Sequence, residues 1–96
     1  MTIIKAIEFI SSGLSEDDAR ALAPIIYATE TFNEEFIVDF SGVQEFTELF
    51  FCSALTHLVG ELGEGEYQRR LHVINLSDAD KETYIAALEY SVTVKP

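Results

Sequence analysis

The run Phe36-Ile37-Val38-Asp39-Phe40 constrains this chain more than any other segment of its length. It stands between a polar turn and the Ser41-Gly42 pair. Too short for a helix and nearly continuous in apolar character, it reads as a strand buried on both faces, as in a parallel sheet. Parallel neighbours need long crossovers, which are usually helical. The flanking residues supply that pattern.

Ser15 followed by Asp18 is a helix-capping pattern, and Ala19, Leu22, Ala23 and Ile26 then recur at helical spacing. Glu16, Asp17 and Asp18 place three acids at the positive end of the macrodipole. Pro24 interrupts this helix and predicts a kink or a break, since an interior proline costs about 3 kcal/mol. Before it, Thr2 to Ile10 holds four isoleucines, a threonine and a phenylalanine, which favours a strand ended by Ser11-Ser12-Gly13.

After the central run, a second helix is predicted from near Thr47 to near Gly63, with Phe51, Leu55, Leu58 and Leu62 as its stripe and Gly63 at its C′ position. Gly63 to Glu66 reads as a flexible loop and Leu71 to Leu76 as a strand. Ser77 and Asp80 repeat the capping pattern, opening a third helix with Tyr84, Ile85 and Leu88 facing inward. Tyr90, Val92 and Val94 alternate with Ser91, Thr93 and Lys95, the period of a half-exposed edge strand. The expectation is one α/β domain over residues 1–96, in the order β-α-β-α-β-α-β. It has a four-stranded, mostly parallel sheet and three helices, which on so few strands can cover one face better than the other.

Charge narrows the partners. Six Lys and Arg stand against seventeen Asp and Glu, a net charge of −11 in 96 residues. Phosphate backbones and anionic membrane surfaces are excluded as default partners, because both are bound through Lys and Arg. Residues 21–68 hold nine acids and no Lys or Arg. That acidity either keeps the chain soluble or steers it towards a basic partner. One cysteine, Cys52, cannot form an internal disulfide. Lys5 and Glu8 interrupt the apolar amino-terminal residues, so no signal peptide is expected, and no stretch reaches the length of a membrane span. The expected location is cytoplasmic.

Catalytic chemistry finds no foothold. There is no G-x-G-x-x-G, P-loop, G-x-S-x-G or H-E-x-x-H. His57 and Glu61 share a helical face but lack further metal ligands in sequence, and His72 opens an apolar strand. Cys52 lies within LFFCSAL, an apolar setting that argues against a reactive thiol. Asp39 is expected to bond the backbone N–H groups of the Ser41–Val43 turn. No catalytic residue, metal or cofactor is expected.

The run FIVDFSGVQEFTELFFCSAL, the preceding GLSEDDARALAPII and the following HVINLSDADKETYIAAL together resemble the STAS domain of anti-sigma-factor antagonists. The closer resemblance is to a shorter, mainly prokaryotic STAS-like branch of unknown function. It covers residues 3–96, without a full STAS domain's first strand. The resemblance implies a non-catalytic regulatory module that binds a GHKL-type ATPase or kinase. It also implies a hydroxyl at the start of the second helix whose phosphorylation breaks the complex.

Counting from Val43, the aspartate of the family's D-S-S-G-like turn falls on Thr47, and its two serines fall on Glu48 and Leu49. Thr47 is the nearby hydroxyl and the possible phosphoacceptor, and it equally suits a helix N-cap. The partner surface is expected at Ser41, Glu45, Phe46, Thr47, Glu48 and Phe50, with the phenylalanines as an apolar anchor inside a charged rim; the competing reading makes both phenylalanines core and the acids helix caps. The alternative function is an acidic decoy that occupies the basic groove of a nucleic-acid-binding protein.

Overall fold

The computed structural model describes residues 2–30 and 35–93. In chain order the elements are β1 (Thr2–Lys5), β2 (Ser12–Gly13), α1 (Glu16–Glu30), β3 (Phe36–Asp39) and β4 (Gln44–Phe46). There follow α2 (Glu48–Phe51), a π-helical segment (Cys52–Thr56), α3 (Leu58–Leu62), α4 (Glu64–Arg70), β5 (Leu71–Ile74) and α5 (Asp78–Thr93).

Strands β1, β3 and β5 form a parallel sheet in that order, with Ile4, Val38 and Val73 in one row. The chain steps twice in the same direction across this sheet. Two right-handed crossovers therefore bring both sets of helices to one face. Burial agrees: Ile4, Phe36, Val38 and Leu71 are in the core, while Ile3 and Ile74 on the other face are 56% and 40% exposed. The expectation that the central strand is buried on both faces is thus corrected. Ile37 and Asp39 are only half-buried, because both crossovers place their helices on the other face.

The predicted first strand ends at Lys5 and passes into a short 3₁₀ turn, Ala6–Glu8, in which the N–H groups of Phe9 and Ile10 both donate to the Ala6 carbonyl at 2.9 Å. The Ser-Ser-Gly break after it carries β2, which pairs in parallel with β4 across a register shift between Ser12 and Gly13. Gly13 is required there. A Cβ at this position would lie 2.1 Å from Cδ1 of Phe46.

Both capping patterns close as read. The Asp18 N–H donates to Ser15 Oγ at 3.2 Å while the Ser15 N–H donates to Asp18 Oδ2 at 3.3 Å, a reciprocal capping box at the start of α1. The Asp80 N–H donates to Ser77 Oγ at 3.2 Å before α5. Helix α1 runs through Pro24 without a break. Pro24 and Arg20 both lie on the exposed side, so water reaches the Arg20 carbonyl that the proline cannot serve.

Cys52 and His57 have right-handed helical backbone angles, so α2, the π segment and α3 continue as one rod. It ends at Gly63, φ 86°. The expected loop at Gly63–Glu66 is instead the start of α4. Glu64 and Glu66 stand at its positive end and Arg69 and Arg70 at its negative end, an order that stabilises a short helix despite Gly65.

The expected edge strand at Tyr90–Lys95 is also corrected: α5 continues through Val92 to Thr93. Ser91 Oγ donates to Thr56 Oγ1 at 2.7 Å and Ala87 is fully buried, so packing against the π segment holds the helix past the alternating residues. Val94 and Lys95 lie outside the described residues. Counting α2, the π segment and α3 as one rod, the described residues form a small α/β domain with a three-stranded parallel sheet, a two-stranded parallel ribbon and four helices, which corrects the expected four-stranded sheet and three helices.

Candidate functional site

The carboxyl ends of β3 and β5 lie side by side, and the turn that follows β3 is built from Asp39 outward. Its Oδ1 accepts from the Ser41 N–H and from Asn75 Nδ2, each at 2.9 Å. These bonds, Asn75 foremost, hold the Asp39 carboxyl below the usual aspartate range. The Val43 N–H donates to the Phe40 carbonyl at 3.0 Å and closes the turn. Gly42 takes φ 82°, and a Cβ on it would meet Cδ1 of Ile7 at 2.5 Å.

Two residues without glycine's freedom are left-handed here: Asn75 at φ 64° and Glu45 at φ 66°. Asparagine tolerates that region, whereas glutamate does so at a cost of roughly 1–2 kcal/mol. Glu45 is exposed, so the turn holds its carboxylate out into solvent.

Thr47 then starts the long helix. Its Oγ1 accepts from the Phe50 N–H at 3.1 Å and donates to the Gly13 carbonyl at 3.5 Å, and its own N–H donates to the same carbonyl at 3.2 Å. The hydroxyl is half-buried and engaged in both directions. An open cleft of about 500 Å³ lies above this turn, lined by Gly42, Gln44, Glu45, Asn75, Ser77 and Asp80 among others. It occupies the carboxyl side of the parallel strands, where open α/β sheets place their sites.

The structure divides the expected site residues. Ser41, Glu45 and Glu48 are exposed together around the turn. Phe46 and Phe50 are 8% and 2% exposed, which corrects their role as an apolar anchor. Their rings lie 5.4 Å apart, and Phe46 packs against Phe40 at 5.0 Å and Phe51 at 5.1 Å, all within the core. The apolar residue that does reach solvent is Leu49, 58% exposed between Glu48 and Phe50. Its position outside the helix's inward stripe is the signal that sequence reading left unused. Asn75 was also missed; its mark is an asparagine directly after a strand.

The remaining polar candidates do other work. Tyr27 Oη donates to Glu61 Oε1, and the Tyr27 and His57 rings stack with centroids 6.0 Å apart. Both partners of the sequence-level His57–Glu61 pair thus face Tyr27. His72 Nε2 lies 3.8 Å from Glu35 Oε2. Among the described residues no three His, Cys, Asp or Glu side chains are grouped to hold a metal ion, and no helix is long and apolar enough to cross a membrane.

Together these features define a small α/β domain with parallel strands and a rigid, acidic turn at their carboxyl ends. A profile of the STAS-like domain of unknown function matches residues 22–81, from within α1 to the first turn of α5, and the chain belongs to that family. No curated protein and no solved structure matches the chain.

Proposed function

We propose that this domain is a non-catalytic regulatory module that docks a protein partner on the Ser41–Leu49 turn, the partner being a GHKL-type ATPase or kinase. The observation that carries this reading is the exposure of Glu45, Glu48 and Leu49 on a turn anchored from beneath by buried Phe46 and Phe50. A preformed acidic rim around one apolar side chain suits a basic partner surface with an apolar pocket, and rigidity lowers the entropy lost on docking. The absence of Lys and Arg from residues 21–68 leaves that field uncompensated along the chain.

Thr47 serves this reading first as a cap. Phosphate on its hydroxyl would displace the bonds to Phe50 and Gly13, so a switch there would act by loosening the first helical turn as well as by charge.

The test is titration calorimetry of the full chain against purified GHKL-type ATPases of the same cell. Glu45→Lys with Glu48→Lys should weaken binding at least about tenfold while Tm moves only a few degrees. Unchanged affinity in the double variant overturns the docking surface. Failure to bind any GHKL-type protein, with tight binding to a nuclease or DNA-binding protein instead, overturns the partner class in favour of the decoy.

A further inference from the structure

The three parallel strands end on one edge of the sheet, where Lys5, Asp39 and Ile74 stand in one row. From that edge the chain leaves three times: through the Ala6–Glu8 turn after β1, through the turn after β3, and through residues 75–77 into α5. The β2–β4 ribbon draws the approach to α1 beside the middle exit, since it pairs Ser12 with Gln44 and Gly13 with Phe46.

Three large aliphatic side chains are exposed around that middle turn, and each belongs to a segment tied to it. Ile7, 52% exposed, reaches Gly42, where an added Cβ would meet its Cδ1 at 2.5 Å. Leu14, 54% exposed, directly follows Gly13, whose carbonyl accepts from the Thr47 N–H at 3.2 Å. Leu49, 58% exposed, stands two residues beyond Thr47 in the first turn of the rod. Exposed apolar residues scattered singly are ordinary, but several gathered inside a polar rim mark a protein-binding patch.

The rim is acidic. Glu8 adjoins Ile7, Glu16 and Asp17 follow Leu14, and Glu45 and Glu48 lie on the turn, all of them exposed. Of the cations near this edge, Arg20 is bridged to Glu16 and Asp17, Lys5 stands level with Asp39, and Lys81 follows Asp78 and Asp80 in α5.

We propose that Ile7, Leu14 and Leu49 form one docking patch whose occupant is a basic amphipathic segment of a protein, with apolar residues on the three side chains and Lys or Arg towards the carboxylates. The proposal rests on the docking turn described above and names the chemistry of its partner. Charge selects a basic occupant. The aliphatic side chains select an amphipathic one: a decoy of a phosphate backbone works through carboxylates alone and gains nothing from exposed isoleucine and leucine. Because the segments that carry the three residues are already held in place at Gly42 and Gly13 and by the Thr47 cap, little ordering is left for docking to impose.

Titration of the isotope-labelled full chain, followed by NMR, tests this with two probes: a helical leucine–lysine peptide and an oligolysine of equal charge. The leucine–lysine peptide should bind at least about tenfold more tightly than oligolysine and shift amides within residues 7–16 and 41–49. Leu14→Ser, Ile7→Ser and Leu49→Ser should each remove most of that advantage and leave oligolysine binding unchanged, with the circular-dichroism Tm as the folding control. Equal affinity for the two peptides overturns the proposal, as does binding of neither. So does an advantage that survives the serine variants, or amide shifts confined to the opposite edge of the sheet. The partner class is decided separately: GHKL-type ATPases that fail to bind in calorimetry overturn that class, whereas the peptides decide the patch.

Discussion

Asn75 Nδ2 donates to Asp39 Oδ1 at 2.9 Å, tying together the residues that follow or end two neighbouring parallel strands. The bond fixes the floor of the cleft and puts Asn75 in a left-handed conformation. Asn75→Gly should keep the backbone and lose the bond, at about 1 kcal/mol or less. Asn75→Ala should cost more, because alanine resists a positive φ. Urea denaturation of both variants separates the two contributions.

The same bond sets an acid dependence. Asp39 has a folded-state pKa below its ordinary value, so its contribution to stability is present above about pH 4 and is lost as pH falls through the folded value. Asn75→Gly should therefore flatten the loss of stability below pH 4. An acid limb identical to wild type in urea titrations between about pH 2 and 5 would remove Asp39 as its source.

The glycines should divide sharply. Gly13→Ala forces a Cβ to within 2.1 Å of the Phe46 ring in the core and should destabilise by about 2–3 kcal/mol or more. Gly60 lies inside α3 with open space around it, so Gly60→Ala should stabilise by about 0.5–1 kcal/mol. Thermal and urea melts measured side by side decide both signs.

Thr47→Ala should cost about 1 kcal/mol as a lost N-cap, and Thr47→Ser should recover most of it. Hydrogen exchange at the Phe50 amide gives a local readout. Protection there should fall in Thr47→Ala and persist in Thr47→Ser.

Tyr67 and Tyr84 share a hydrogen bond of 2.8 Å beneath α5. Burial above all raises the pKa of both phenols. Their neutral forms thus stabilise the fold below about pH 10, and that stability is lost as pH rises beyond it. Tyr84→Phe strands the buried Tyr67 hydroxyl and should cost about 1–3 kcal/mol, while the double Tyr→Phe variant should cost less than the sum of the singles. A double-mutant cycle at neutral pH and an alkaline melt series check the two halves.

Local chemistry was legible in the residues alone. Ser15 with Asp18, Ser77 with Asp80, and Thr47 with the amide of Phe50 each join partners three positions apart, so sequence spacing specifies the geometry. The central strand and the parallel α/β arrangement follow from hydrophobic period and turn signals, which are also local. So does the place of the candidate turn after β3.

What only the tertiary structure decided depends on partners far apart in the chain. Phe46 and Phe50 look like surface anchors until Phe40, Phe51 and Gly13 close around them. Tyr90 and Val92 alternate like a strand, yet Ser91 bonds Thr56, 35 residues earlier, and the helix continues. The one-sided sheet also follows from direction: two crossovers that step the same way leave Ile3, Ile37 and Ile74 on the face turned from the core. Alternation along a strand specifies which residues share a face, but it carries no information on which face the rest of the chain will cover.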